Sequence, residues 1–504
     1  MFFVSTRNSG VLCKFQDIVL NPVVKGHGGL FVPSFFTPMG YPEIERIATM
    51  SYPQSLAEIV YGFCDGCISK SDLTNLTNEA FKDFSTGFGT DNKQKTGDKY
   101  FSTLTLEEGL EIANLNYGPT GCCKDYGYCF AASLVNHFAK KEGKIRNIVD
   151  CSGGSSGPSV AWATRNKDFL RAFTLVKEGK NNSVKATLAK ANENANNIGY
   201  AMVSCEDSFI NDIRYEVYNN DSFAETMNLV FINDLNLVSV FAYLPAFFKA
   251  YIKCNSSPFS VFLPTGNASL AMAAFFAKKI GIPIRKIVLA TEKNDFFNII
   301  QDSKVAINNN NQEIGCSSLH SAVPTNFERI MFYLFESNQG SVKRAMEELE
   351  SNMRYKISDK LVDKFEEDFF VAKCDNQFSI RNVIYSMIRE REIYVEQHFA
   401  IAKLAIDQIT SALGATITNS PMVIFNTLDF RRNLDFVNAS LGYDIERPNL
   451  PWTPDDVKKF APVEITADKN EVLRYIMNAL ENPEVLKTTN AQKEGEGTDD
   501  SKNQ

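Results

Sequence analysis

The chain is poor in histidine and tryptophan, with four and two among 504 residues, and it carries no excess of positive charge. Four scattered histidines are too few for a histidine-built metal cluster. Lys plus Arg is 52 against 60 for Asp plus Glu, a formal charge of −8, which argues against a protein that tracks nucleic-acid phosphates. Long hydrophobic runs are missing as well. The longest apolar stretches, such as Leu270 to Ala277 and Val238 to Phe248, fall well short of the roughly 20 residues that a membrane-spanning helix needs. The opening residues Met1 to Arg7 show neither a basic stretch nor a long apolar one, so no secretory signal is expected. The eleven cysteines lack framework spacing, and Cys122, Cys123, Cys129, Cys151 and Cys205 lie among apolar neighbours. That usage suits a reducing, cytoplasmic setting. Cys64-x-x-Cys67 has no second pair to complete a zinc site and reads as two ordinary thiols.

What is present is an ordinary globular balance, 44% apolar and 22% charged, in a chain long enough for two to four domains at about 100–200 residues each. The polar segment Ser85 to Lys99 reads as a linker or exposed loop after a first unit of about ninety residues. Lys180 to Asn197 and Asn308 to Gln312 read as loops or solvent-facing connections, and Lys487 to Gln504, without a large apolar side chain, as a disordered tail.

Between these lie alternating strand and helix signals. Tyr126, Phe130, Leu134 and Phe138 recur every four residues on one helix face, and Lys144 to Cys151 follows as a short strand. Pro258 to Leu263 predicts a buried strand, Ser269 to Lys279 a helix stopped at Gly281 and Pro283, and Arg285 to Thr291 the next strand. Short joints make this a βαβ unit with parallel pairing. Ile380 to Leu413 reads as helical throughout.

Three segments could carry chemistry. Pro264-Thr265-Gly266-Asn267 stands between a strand and a helix N-terminus, where free N–H groups and the helix dipole favour a phosphate or carboxylate; an ordinary βα turn has the same composition. Ser152-Gly153-Gly154-Ser155-Ser156-Gly157 also follows a strand, and its glycines allow close backbone approach. It contains G-x-S-x-G, so a distant alternative is an α/β-hydrolase with Ser155 as nucleophile, His27-Gly28-Gly29 as oxyanion loop and His398 as base. Gly118-Pro119-Thr120-Gly121-Cys122-Cys123-Lys124-Asp125 delivers Lys124 at the start of a helix among apolar neighbours. That setting suits a lysine that forms an imine, although most lysines are simply solvated.

Taken together, in order and spacing, these blocks resemble the threonine synthase family of fold-type II pyridoxal-phosphate enzymes over nearly the whole chain. Ser5-Thr6-Arg7 and Gly28 to Pro33 look like the family's STRG and DGGLYVP elements. Tyr117 to Asp125 is similar to HGPTLAFKD, Ser152 to Gly157 to TSGDTG, and Pro264 to Asn267 to the start of PSGNFGN. Lys278 to Pro283 follows AKKMGLPI, Ala290 to Asp295 follows ATNEND, and Thr325 to Arg329 resembles SSNFERLL. The resemblance implies an α/β fold of the tryptophan synthase β type, with two open-sheet domains and an N-terminal extension. The implied boundaries are 1–97 for the N-terminal domain, 98–225 for a smaller cofactor domain with the lysine, 226–486 for a larger one with the phosphate loop, and 487–504 for the tail. It also implies pyridoxal 5'-phosphate as cofactor, carried by Lys124 and bound by Gly266, Asn267, Ala268, Ser269 and Thr427, with Thr427 facing the pyridine nitrogen. Ser152, Ser155 and Ser156 are implied substrate contacts.

Departures from the family pattern accompany the matches. Ser269 and Leu270 replace the second Gly and second Asn of PSGNFGN, which predicts a more restricted backbone and fewer donors there. Tyr117 replaces a histidine, DPHTAVG has become Glu396 to Ala402, and TAHPAKF has become Thr427 to Asn433. The implied activity is conversion of O-phosphohomoserine and water to threonine and phosphate by a cytoplasmic monomer or homodimer, with no nucleic-acid or membrane partner. The alternatives are a phospho-lyase releasing 2-oxobutyrate and a non-catalytic relative that retains the scaffold.

Overall fold

Strand Phe259–Pro264 is buried at all six positions, the signature of a central parallel strand covered on both faces. In the computed structural model, which describes residues 1–24, 28–85, 96–151, 156–179, 182–293, 296–308, 319, 321–445, 454–482 and 484–486, it lies inside a seven-stranded sheet. The strand order is Phe369–Lys373, Ile284–Thr291, Phe259–Pro264, Met422–Asn426, Leu110–Asn114, Phe101–Glu107, Thr96–Asp98. The first five strands run parallel, and the last two add antiparallel ribbons at one edge.

The expected βαβ unit is present: Phe262 pairs with Val288 in parallel register, and helix Ser269–Ile280 connects the two strands. Gly281 ends that helix at φ +128°, its N–H bonded to the Ala277 carbonyl at 3.1 Å. A Cβ at this position would lie 2.8 Å from the Met39 carbonyl oxygen, so both dihedral and space require glycine. The long helical region divides into Gln377–Arg391 and Gln397–Leu413, because Glu392 turns left-handed at φ +57° and Glu396 caps the second helix. That second helix packs Phe399, Ala400, Ile401 and Ala402 onto Phe262, Val288 and Ile424 of the sheet.

The chain forms two compact units, residues 1–131 with 233–450 and residues 132–232 with 451–504. The N-terminal segment packs within the first unit, where Phe3–Ser5 is the central strand of a three-stranded antiparallel sheet. Strands Phe101–Glu107 and Leu110–Asn114 belong to the same unit through the large sheet. The second unit has a four-stranded parallel sheet in the order Val463–Ile465, Ile198–Val203, Leu170–Lys177, Arg146–Asp150. Helix Lys469–Glu481 covers it by burying Val472 and Ile476 with Phe173, Leu175 and Ala201.

One expectation is corrected by this packing. Within the stretch Lys180 to Asn197, residues 182–192 are not a solvent-facing connection, because helix Asn182–Asn192 buries Val184, Ala186, Leu188 and Ala191, apolar residues hidden among polar ones, while 180 and 181 lie outside the described residues. Of the predicted linker, residues 96–98 form a strand and 86–95 lie outside the described residues, as do 309–312 and the tail 487–504. No helix among the described residues is long and apolar enough to cross a membrane.

Candidate functional site

Lys124 begins helix Lys124–Glu142, and the turn before it is held by its neighbour. The buried Asp125 carboxylate accepts from the Thr120 backbone N–H and from the Thr120 hydroxyl, both at 2.8 Å. Gly121 sits at φ +70°, and a Cβ there would come 2.8 Å from Asp429 Cβ. This close approach lets the lysine turn pair with the segment after strand Met422–Asn426: Asp429 N–H reaches the Gly121 carbonyl at 2.7 Å, and Cys123 N–H reaches the Thr427 carbonyl at 2.8 Å. Arg431, fully buried, grips both oxygens of Asp429 at 2.6 Å and makes the second half of this clasp rigid. Lys124 itself is half-buried.

Thr427 is buried and its hydroxyl lies 3.0 Å from His398 Nδ1. Burial, with the nearby Lys124 charge adding to it, lowers the imidazole to about 3, so His398 is neutral at ordinary pH. Two residues earlier, Glu396 caps helix Gln397–Leu413, one carboxyl oxygen accepting from the His398 N–H at 2.8 Å and more weakly from Phe399. Its other oxygen, fully buried, has no partner among the described residues. Burial pushes this carboxyl up to about 8 against the pull of the two N–H groups.

The third element is the loop before helix Ser269–Ile280. Gly266 lies against the Leu319 backbone, where a Cβ would meet the carbonyl oxygen at 2.9 Å. Ala268 adopts the left-handed region at φ +61°, and Ser269 follows as the first helical residue. This sequence of conformations turns successive N–H groups into one concavity. Among the described residues, the N–H groups of Gly266, Asn267, Ala268 and Leu270 have no acceptor. Such a cradle fits a phosphate. The expected restriction at Ser269 is not found, because a serine is at ease in helical φ; the strained residue is Ala268.

The side chains of the loop face Asp234. Its carboxylate accepts from the Ser269 hydroxyl at 2.7 Å, from the Asn267 amide, and from the Tyr128 hydroxyl at 3.4 Å, one turn beyond Lys124. Asn326 bonds the Ser269 hydroxyl at 2.9 Å and passes to Arg329, whose guanidinium also reaches the carbonyls of Phe31, Asp234 and Leu235. Arg329 is fully buried, and burial lowers it to about 10, which leaves it a cation at neutral pH. The neighbouring Glu328 accepts from Thr6 and from Arg7 at 3.0 and 2.9 Å, while Thr6 accepts from the Leu30 N–H at 2.8 Å. Three blocks noted in the sequence, Ser5-Thr6-Arg7, Gly28 to Pro33 and Thr325 to Arg329, thus contribute to one scaffold beneath the loop.

Of the residues singled out in the sequence, Lys124, Thr427, Gly266, Asn267, Ala268 and Ser269 all lie in the first unit and are linked through Thr427 or Asp234. Ser156 is buried at the start of helix Ser156–Thr164 in the second unit, and Ser152 and Ser155 lie outside the described residues. The hydrolase alternative finds no support here: burial lowers His398 to about 3, which makes it a weak base, and Ser155 and His27 lie outside the described residues. Sequence reasoning did not single out Asp234. Its only signal was Asn233-Asp234-Leu235-Asn236 before a short helix, the wording of any helix cap.

Residues 2–81 match the family profile described as Threonine synthase N terminus. The chain is 24% identical to threonine synthase of Eremothecium gossypii over 434 residues, covering 80% of this chain and 82% of that one. The fold is similar to a crystal structure of PLP-bound threonine synthase from Brucella melitensis, with TM-score 0.84 and 20% identity over 96% of this chain and all of that one. It is also similar to the threonine synthase structure from yeast, with TM-score 0.79 and 19% identity over 96% of this chain and 98% of that one.

Proposed function

We propose that this chain, which belongs to the threonine synthase family, converts O-phosphohomoserine and water to threonine and phosphate with pyridoxal 5'-phosphate as cofactor. The observation that carries the reading is the convergence in one unit of the lysine turn, the Thr427–His398 pair and the N–H cradle before helix Ser269–Ile280. Pyridoxal phosphate supplies an electron sink that weakens bonds beside an amino group. Lys124 would carry it, and its amine would hold and move protons among the α-, β- and γ-carbons of the substrate. Phosphate leaves from the γ-carbon with the electrons of its C–O bond, and the oxygen of water bonds to the β-carbon. Of the implied residues Gly266, Asn267, Ala268 and Ser269, the first three would hold the cofactor phosphate by backbone N–H groups, joined by Leu270, whereas Ser269 spends its N–H on Asn267 Oδ1 at 3.3 Å and its hydroxyl on Asp234. Thr427 would face the pyridine nitrogen of the cofactor, and neutral His398, 3.0 Å from its hydroxyl, would fix that hydroxyl without adding a charge beside it. Ser152, Ser155 and Ser156 are assigned to the substrate. The protein acts in the cytoplasm as a monomer or homodimer.

The test is borohydride reduction of the purified protein followed by peptide mapping. The pyridoxyl group is expected on the peptide containing Lys124, and labelling elsewhere overturns the assignment. Lys124→Ala should abolish release of phosphate from O-phosphohomoserine, with threonine and 2-oxobutyrate measured side by side to separate synthase from lyase outcome.

A further inference from the structure

The anion cradle in this chain already faces an anion of its own. Asp234, only 7% exposed, spends both carboxylate oxygens on the loop: one on the Ser269 hydroxyl at 2.7 Å, the other on the Asn267 amide. These are the side-chain donors that a loop ahead of a helix would otherwise offer a phosphate. Nor is the carboxylate free to withdraw. The backbone carbonyls of Asp234 and Leu235 are bonded to Arg329 at 3.0 and 2.6 Å, Arg329 is fully buried, and Asn326 ties Arg329 back to Ser269. The guanidinium bonds the Asp234 carbonyl and fixes its backbone, so the arrangement is a braced carboxylate at a helix N-terminus.

We infer that Asp234 is a specificity-determining residue of the phosphate loop: its carboxylate restricts a bound phosphate to the backbone N–H groups and lowers affinity for a phosphorylated cofactor relative to the same molecule without phosphate. This rests on the cofactor reading above and deepens it. A fixed negative charge within a few ångströms of a phosphate in a poorly solvated site is strongly repulsive, and removing it without changing shape should release that repulsion. The unphosphorylated compound has no charge there to repel, so it serves as an internal control.

The experiment is absorbance titration of full-length protein, freed of cofactor, with pyridoxal 5'-phosphate and with pyridoxal. The parent, Asp234→Asn and Asp234→Ser are compared, the serine variant retaining a hydroxyl at the loop if the asparagine folds poorly. The expected result is that both variants bind pyridoxal phosphate at least about tenfold more tightly than the parent while affinity for pyridoxal stays within about twofold. A purely structural Asp234 would change both affinities together, and that outcome, or an unchanged pyridoxal phosphate affinity, overturns the inference. Failure of the cofactor reading looks different: neither compound alters the absorbance of any of the three proteins, and both proposals then fall.

Discussion

His398 and Glu396 sit two residues apart at one helix start, and burial moves them in opposite directions along the pH scale. His398, lowered from 6.5 to about 3, is neutral in the fold, so the unfolded chain binds the extra proton and stability is lost as pH falls from about 6.5 toward 3. Glu396, raised from 4.5 to about 8, keeps its proton in the fold, so its contribution is present below 4.5 and lost as pH rises through 8. Each group acting alone gives a slope of up to about 1.4 kcal/mol per pH unit. Between 4.5 and 6.5 the two slopes oppose one another, whereas between 6.5 and 8 only Glu396 acts. Glu396→Gln should therefore flatten the denaturant-measured stability of the protein between pH 6.5 and 8, where the parent declines. Equal slopes in parent and variant over that interval would show that the carboxyl is ionised in the fold.

At the scale of the element, the helix Ser269–Ile280 shows what can be read in advance and what cannot. Its stop was legible because Gly281 and Pro283 are strong punctuation, and its strands were legible because Phe259 to Pro264 and Ile284 to Thr291 are short apolar runs with tight joints. Its start was misjudged in detail. The departure from the family pattern drew notice to Ser269, yet the conformational burden falls on Ala268 at φ +61°, a preference that composition does not reveal. Likewise Lys124 could be picked out by its turn, while Asp234 could not, because it reaches the loop from 33 positions away through tertiary packing alone. The left-handed region costs a residue with a Cβ about 1–2 kcal/mol, partly offset by the greater freedom of glycine when unfolded. Ala268→Gly is expected to stabilise the protein by roughly 0.5–1 kcal/mol, read as a higher denaturant midpoint with an unchanged slope. A lower midpoint would mean that the alanine methyl group packs well enough to outweigh its strain.

For the molecule as a whole, the second unit is assembled from two distant stretches of chain. Residues 132–232 supply three strands, and residues beyond 450 return to add Val463–Ile465 alongside Ile198–Val203 and to lay helix Lys469–Glu481 over the sheet. A chain ending at residue 450 should lose this unit's order, because Phe173, Leu175 and Ala201 lose the Val472, Ile476 and Leu480 side chains that bury them. Limited proteolysis is expected to cut such a chain within 132–232 under conditions that spare the full-length protein; equal resistance would show that the three strands hold unaided. The same discontinuity has a consequence for synthesis on the ribosome. Strand Ile198–Val203 emerges long before its partner Val463–Ile465. At about 5–20 residues per second, the roughly 260 residues between them take roughly 13–50 s to make. Throughout that interval the nascent chain would present an open parallel edge and an uncovered apolar sheet face, and slower elongation would lengthen its exposure to neighbours on the polysome.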